Sequence, residues 1–302
     1  MNQQNPYGGQ QPQQPQQGWG QQPQQQPAWG QAPQQAQPHQ QQPQQQHQFG
    51  GMHPGMQMPG PTPGGAPYGG ADESNMIASE ASVAARSKFI ERTYLHLAGA
   101  ISVFVVLSAG FQMIPGIEEM VFKLLMVSQY SWLAVMGAFI AVSFVADRWA
   151  RGSSSPTMQY AGLTLYTVAE AVIFIPMIII ARQYIGAEGI MTAGGTTLAM
   201  FAGLTAYVFI TKKDFSFMRG ALTIASMGAL GLIVVSVVSG GFQLGILFSI
   251  AMVVLACGYI LYYTSNVLRH YRVNQHVAAS LALFSAVALL FWYILQIFMS
   301  RR

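Results

Sequence analysis

The sequence predicts an all-α membrane protein: seven transmembrane helices with the N-terminus cytoplasmic, preceded by a disordered tail rich in Gln, Pro and Gly. Three observations carry this prediction. Only 8% of the residues are charged while 51% are apolar, whereas soluble domains carry about 25% charge. The apolar residues gather into runs long enough to cross about 30 Å of hydrocarbon, which takes about 20 helical residues each. The Lys and Arg residues lie between those runs and mostly on one side, and that asymmetry sets orientation in a membrane.

The elements follow in order. From Met1 to Ala71 there is no charged residue, and the segment is built mainly from Gln, Pro and Gly with a few aromatics. Such a segment cannot bury enough apolar surface to offset its ordering entropy, so it is expected to be disordered. It contains a degenerate repeat, Trp19-Gly20-Gln21-Gln22-Pro23-Gln24-Gln25 and then Trp29-Gly30-Gln31-Ala32-Pro33-Gln34-Gln35. A passive tether and a self-associating or groove-docking segment both fit that composition. We place the tail at residues 1–85 and the membrane domain at 86–302. Arg86, Lys88 and Arg92 gather where the chain enters the membrane. The spans run from Thr93 to Ile114, Ser131 to Ala146, Thr157 to Ala181, Ile190 to Thr211, Met218 to Val238, Leu244 to Val267, and His276 to Phe298. The second is short, and residues from Met126 onward can extend it. The first lies far from the start of the sequence, which fits a retained signal anchor rather than a cleaved signal peptide.

Orientation follows from counting basic residues on alternate sides. One side holds Arg86, Lys88, Arg92, Arg148, Arg151, Lys212, Lys213, Arg219, Arg269 and Arg272; the other holds Lys123, Arg182, Arg301 and Arg302. Ten against four makes the tail cytoplasmic and, with seven spans, the C-terminus external. The pair Arg301-Arg302 pulls the other way, and a re-entrant seventh run would move it inside. Tyr130 and Trp132, then Trp149, sit where interfacial anchors belong on span two, and Trp292 and Tyr293 lie toward the outer end of span seven. The net charge of +4 therefore reports topology, and the expected partner is the bilayer, not nucleic acid. Cys257 is the only cysteine, so there is no intrachain disulfide and no CxxC motif; it reads as a packed thiol.

An ionisable group in mid-span is costly and is the default functional candidate. Glu170 stands out, near the centre of span three. Six residues on, Pro176 lacks a backbone donor and should loosen the helix beside that carboxylate. A carboxylate there either handles a cation or ties helices together by hydrogen bonds. His96 lies one turn into span one and reads as interfacial, because a zinc site needs three converging ligands; no metal site and no cofactor is expected. His270 and His276 read as solvated members of a basic loop. Enzyme readings lack parts: Ser239 has no histidine mate within a span, and span seven has no lysine for retinal. Receptors coupled to G proteins share the span count but place the N-terminus outside.

Three stretches together resemble a known family. Thr205-Ala206-Tyr207-Val208-Phe209-Ile210-Thr211-Lys212-Lys213-Asp214-Phe215-Ser216, with Thr211, Lys212, Lys213, Asp214 and Phe215 at its heart, is similar to the signature of the Bax inhibitor-1-like (transmembrane Bax inhibitor motif) family. Gly258-Tyr259-Ile260-Leu261-Tyr262-Tyr263-Thr264-Ser265 resembles its sixth-span motif, and Phe291-Trp292-Tyr293-Ile294-Leu295-Gln296-Ile297 the end of its seventh span. The resemblance implies a compact bundle with one central helix. It also implies calcium- or proton-linked leak, control of stress or cell death, or, in bacterial relatives, modulation of the membrane-anchored protease FtsH. Many members carry a pH-sensitive aspartate pair in spans six and seven. Here those positions correspond to Tyr263 and Ala286, so gating by that pair is not expected. Proteobacterial relatives that lack the pair point to the bacterial inner membrane and to FtsH-type modulation. The alternative is a calcium or proton leak past Glu170, Tyr263, Thr264 and Ala286.

Overall fold

The computed structural model describes residues 73–151, 155–240 and 244–300. Residues 1–72 of the expected tail and the Arg301-Arg302 pair lie outside the described residues. Within them the chain is helical, with α1 Val83–Phe111, α2 Ile117–Met126, α3 Ser131–Arg151, α4 Pro156–Thr211, α5 Arg219–Val238, α6 Ile246–Arg269 and α7 His276–Ser300.

Six of these helices are long and apolar enough to cross a membrane. At 1.5 Å per residue, the 56 residues of α4 would reach about 84 Å, far beyond about 30 Å of hydrocarbon. The chain resolves this at Gly186, whose φ of 69° and ψ of 178° form a conformation open essentially to glycine alone. Counting the arms before and after Gly186 separately recovers the seven expected runs. The loosening expected at Pro176 does not appear: Gly186 is where the backbone leaves helical geometry inside α4, and Pro176 stays within the regular first arm. Proline is tolerated within membrane helices because local adjustment and neighbouring groups satisfy the freed carbonyl.

All the long elements alternate between two ends. Arg92, Arg151, Lys212, Arg219 and Arg269 share one, the basic end; Gly186, Val238 and Ile246 share the other. Two features differ from expectation. The short helix α2 lies between α1 and α3 and carries an exposed Glu119–Lys123 pair at 2.6 Å, worth at most about 1 kcal/mol in such a setting. Ordered structure also begins ahead of the expected domain boundary at residue 86. Ile77 pairs with Arg272 as an antiparallel bridge, Ala78 N donates to Tyr271 O (2.8 Å) and Val273 N to Met76 O (3.0 Å). The segment before α1 is thus clipped to the α6–α7 turn, and Ser82 caps α1 by accepting from Ala85 N.

The core is built around α7. It packs against α1, α3, α4 and α6, and Leu283, Phe284, Leu290 and Leu295 on it are almost wholly buried. Lipid tails are as apolar as leucine, so burial alone does not drive helices together in a bilayer; close van der Waals packing does. Accordingly α7 presents Ala278, Ala279, Ala282, Ala286 and Ala288, all buried, and on α1 the buried Phe89, Thr93, Leu97, Ala100 and Phe104 recur every three or four residues along one face. The tightest crossing joins α3 to α4 at Gly162, where a β-carbon would stand 2.6 Å from Ala146 O. By contrast α5 buries only Leu222 and packs on α6 and the turn before itself, without extended contact to α3 or α4.

Candidate functional site

Two cavities run between the helices and meet at a pair of tyrosines. The larger, about 580 Å³, is lined by α3, α4, α5, α6 and α7 and reaches Trp132 and Gln296 at the end opposite the basic residues. The smaller, about 440 Å³, opens at the basic end between α3, α5, α6 and the α6–α7 turn. Tyr259 and Tyr263 line both. Their side chains lie one helical turn apart on α6, so they share a face, and their rings stack with centroids 5.5 Å apart.

Glu170 lies on the larger cavity. It comes from the first arm of α4 and is 6% exposed, the one buried carboxylate among the described residues. Its Oε1 accepts a hydrogen bond from Tyr166 Oη at 2.8 Å, one turn earlier on the same arm. Tyr166 is held in turn by edge-on packing on Phe284 of α7 (6.0 Å, 82°). Farther from the basic end the wall is aromatic: Phe174 meets Trp292 edge-on (5.0 Å), and Trp292 stacks on Trp132 (6.0 Å). Such pairs fix ring orientation beyond what burial does. The cavity is therefore an apolar shaft with one fixed carboxylate.

Of the residues singled out in the sequence, the structure gathers Glu170, Tyr263 and Ala286 around this cavity, although they come from three helices. Thr264 lines neither cavity. It is fully buried, because neighbouring helical residues point about 100° apart. The Tyr94 hydroxyl approaches those of Thr264 and Thr205 without reaching hydrogen-bond geometry. The tyrosine stack is tied down from the side, since the Tyr259 and Ser226 hydroxyls lie 2.8 Å apart and join α6 to α5.

The motif from Thr211 to Phe215 lies outside the cavities and builds the α4–α5 turn. Lys212 ends α4 in the left-handed conformation (φ 51°) with its N–H bonded to Val208 O. Asp214 Oδ1 accepts from Ser216 N at 2.9 Å, an Asx turn, and that backbone bond holds its carboxyl below the ordinary aspartate value. The turn is then fastened to α6: Phe215 N donates to Ser265 Oγ (3.0 Å), and the Arg269 guanidinium donates to Lys212 O. Sequence reasoning found the motif and not its role, which is to hold the start of α5 against the end of α6 beside the smaller cavity.

Sequence reasoning missed one cluster. His276 is not a solvated loop residue but opens α7, with its ring 5.1 Å from that of His96 and its Nε2 3.4 Å from Tyr160 Oη. The two histidines are 180 residues apart, so spacing carried no signal for the pair. Cys257 is half-buried at the edge of the main core.

Comparison with known proteins gives concordant results. A family model described as inhibitor of apoptosis-promoting Bax1 matches residues 86–302. An uncharacterized protein of Pseudomonas aeruginosa is 30% identical over 162 residues, covering 53% of this chain and 68% of that protein. The Bax inhibitor 1 of Schizosaccharomyces pombe is 28% identical over 221 residues, covering 72% of this chain and 79% of that protein.

Proposed function

The chain belongs to the Bax inhibitor-1 family, and from that premise we propose that it is a multi-pass leak protein for calcium or protons whose path follows the two joined cavities. The observation that carries this reading is the placing of Glu170, Tyr263 and Ala286 on one cavity that meets a second, opening at the basic end, at the Tyr259–Tyr263 stack. An apolar shaft is a barrier to ions because it offers no replacement for hydration. A fixed carboxylate lowers that barrier for cations only. The tyrosine stack narrows the way and needs to part for passage.

The test is flux into liposomes of zwitterionic phosphatidylcholine holding the purified protein, read with calcium- and pH-sensitive dyes. Glu170→Gln keeps the side-chain volume and an oxygen to accept the Tyr166 bond. It removes an attraction of about 4 kcal/mol for a monovalent cation at 4 Å and an effective dielectric of about 20. Much of that attraction offsets dehydration, so we expect flux to fall by about 10- to 100-fold. No flux in the wild type under any gradient would overturn the leak reading; equal flux in both would remove Glu170 from it.

A second reading is regulation by contact, as a modulator of a membrane-anchored protease such as FtsH. What supports it is the surface of the α4–α5 turn, where Lys212, Lys213 and Asp214 are exposed and Phe217 is 79% exposed. Co-purification with the protease, lost in Phe217→Ala, tests it. The Pseudomonas relative and the basic-residue count support a bacterial inner membrane with the basic end cytoplasmic.

A further inference from the structure

The two cavities have opposite chemistry and share a seam. The smaller one is lined by Arg151, Arg219 and His270 together with Thr223, Asn266 and Gln275, and no acidic side chain lines it. Arg151 is oriented by its bond from Nε to Asp147 Oδ1 (2.6 Å). Arg219 is exposed at the start of α5, and its guanidinium has no hydrogen-bond or ion-pair partner among the described residues. Arginine forks match the geometry of a phosphate. The basic pocket therefore offers arginine side chains suited to an anionic group.

The larger cavity adjoins it, as Tyr259 and Tyr263 line both. One wall is α3, through Met136 and Ile140; the facing wall is α5, through Ala229, Leu230 and Ile233. Because α5 packs on α6 and makes no extended contact with α3, the space between these walls is not closed by helix packing. Ile140 on its rim is half exposed. From Arg151 to Ile140 is eleven residues, about 16 Å along the helix, which is about half the hydrocarbon thickness and so the depth of one leaflet.

A headgroup pocket with unpaired arginine stands over an apolar slot one leaflet deep. From this juxtaposition we infer that the joined cavities bind an anionic phospholipid of the leaflet at the basic end, its phosphate between Arg151 and Arg219 and one acyl chain in the slot between α3 and α5. Basic pockets between transmembrane helices are suited to anionic headgroups. A free anion would use the arginines and leave the slot unused. Lipid occupancy and cation passage would exclude each other in the same space, but the inference stands on binding alone and does not depend on conduction.

The experiment is titration of delipidated full-length protein with phosphatidylglycerol or phosphatidylcholine, read by native mass spectrometry as lipids retained per chain. We expect one phosphatidylglycerol held about tenfold more tightly than phosphatidylcholine, a preference of about 1.4 kcal/mol. Arg151→Gln with Arg219→Gln should erase the preference, and the double lysine variant should keep most of it. Ala229→Phe, which fills the slot and leaves both arginines, should weaken phosphatidylglycerol about tenfold. Excess inorganic phosphate should not displace the lipid. Equal binding of the two lipids, an unaltered preference in the double glutamine variant, or unaltered affinity in Ala229→Phe would each overturn the inference. Displacement by inorganic phosphate would overturn it in favour of a simple anion site.

Discussion

Replacing Gly162 by alanine adds one methyl group, and the structure fixes where it must go. The new β-carbon would stand 2.6 Å from Ala146 O, 3.0 Å from Ala150 N and 3.1 Å from Trp149 Cβ. Ordinary contacts begin near 3.5 Å, so the shortfall at the carbonyl is about 0.9 Å. None of these atoms is the free end of a side chain that can swing aside. Two are backbone, and Ala146 and Ala150 are themselves 0% and 1% exposed, so α3 as a whole has to retreat from α4. Overpacking of this kind costs about 1–3 kcal/mol, partly offset by the preference of about 1 kcal/mol for alanine over glycine in a helix. We expect a net loss of up to about 2 kcal/mol, which at about 2–4 °C per kcal/mol for a chain of this size lowers Tm by up to about 8 °C. The assay is thermal unfolding of purified protein in detergent. Gly137→Ala is the control, because a β-carbon there meets nothing within 4 Å. The control gains the helix preference without the clash, so if Gly162→Ala melts at or above the Gly137→Ala temperature, the argument that a close crossing clamps α3 to α4 is wrong.

Other expectations follow from the site. Tyr263→Asp would place a carboxylate on both cavities, so flux between about pH 5 and 8, where perturbed carboxylates titrate, should gain a pH response; it should be stronger when Ala286→Asp is added, and a flat profile in both variants would refute the shared-cavity argument. Asp214 is held below the ordinary aspartate value by the Ser216 backbone bond, so that bond's contribution is present above the ordinary aspartate range and is lost as pH falls through the lowered value. The Ser216 amide resonance should report a midpoint below that of an unstructured aspartate, and Asp214→Ala should abolish the transition. Reporter fusions at Asp214 and Asn274 should read cytoplasmic and those at Glu119 and Gly186 external, following the ten-to-four distribution of basic residues; the reverse pattern would invert the assignment of the basic end.

Much of the fold was legible because a bilayer punishes exceptions. Runs of apolar residues, the polar break around Arg182 to Glu188 and the lone Glu170 are each local in the chain, and hydrocarbon gives each one meaning. The short helix α2 escaped because its ten residues are too few to cross and its charges, Glu118, Glu119 and Lys123, looked like a loop. Thr264 was grouped with Tyr263 by adjacency, where helical geometry sends neighbours to different faces. The cavities were invisible for a deeper reason: their volume depends on how little α5 buries and on where Tyr259 meets Ser226, both set by contacts between distant segments. Spacing within one helix contains neither.

The placing of α7 bears on how the molecule can be made. The helix that touches α1, α3, α4 and α6 follows all of them in the chain, so it leaves the ribosome after them. Until it arrives, its neighbours surround an empty axis, and the seats for Leu283, Phe284 and Leu290 are lined but unfilled. Ser280 also cannot yet donate to Thr93 O, a bond of 2.8 Å across 187 positions. The contacts of α7 therefore join segments far apart in the chain and form last. A chain halted before α7 would consist of inserted helices without a common centre, exposed to the wrong partners for as long as synthesis takes.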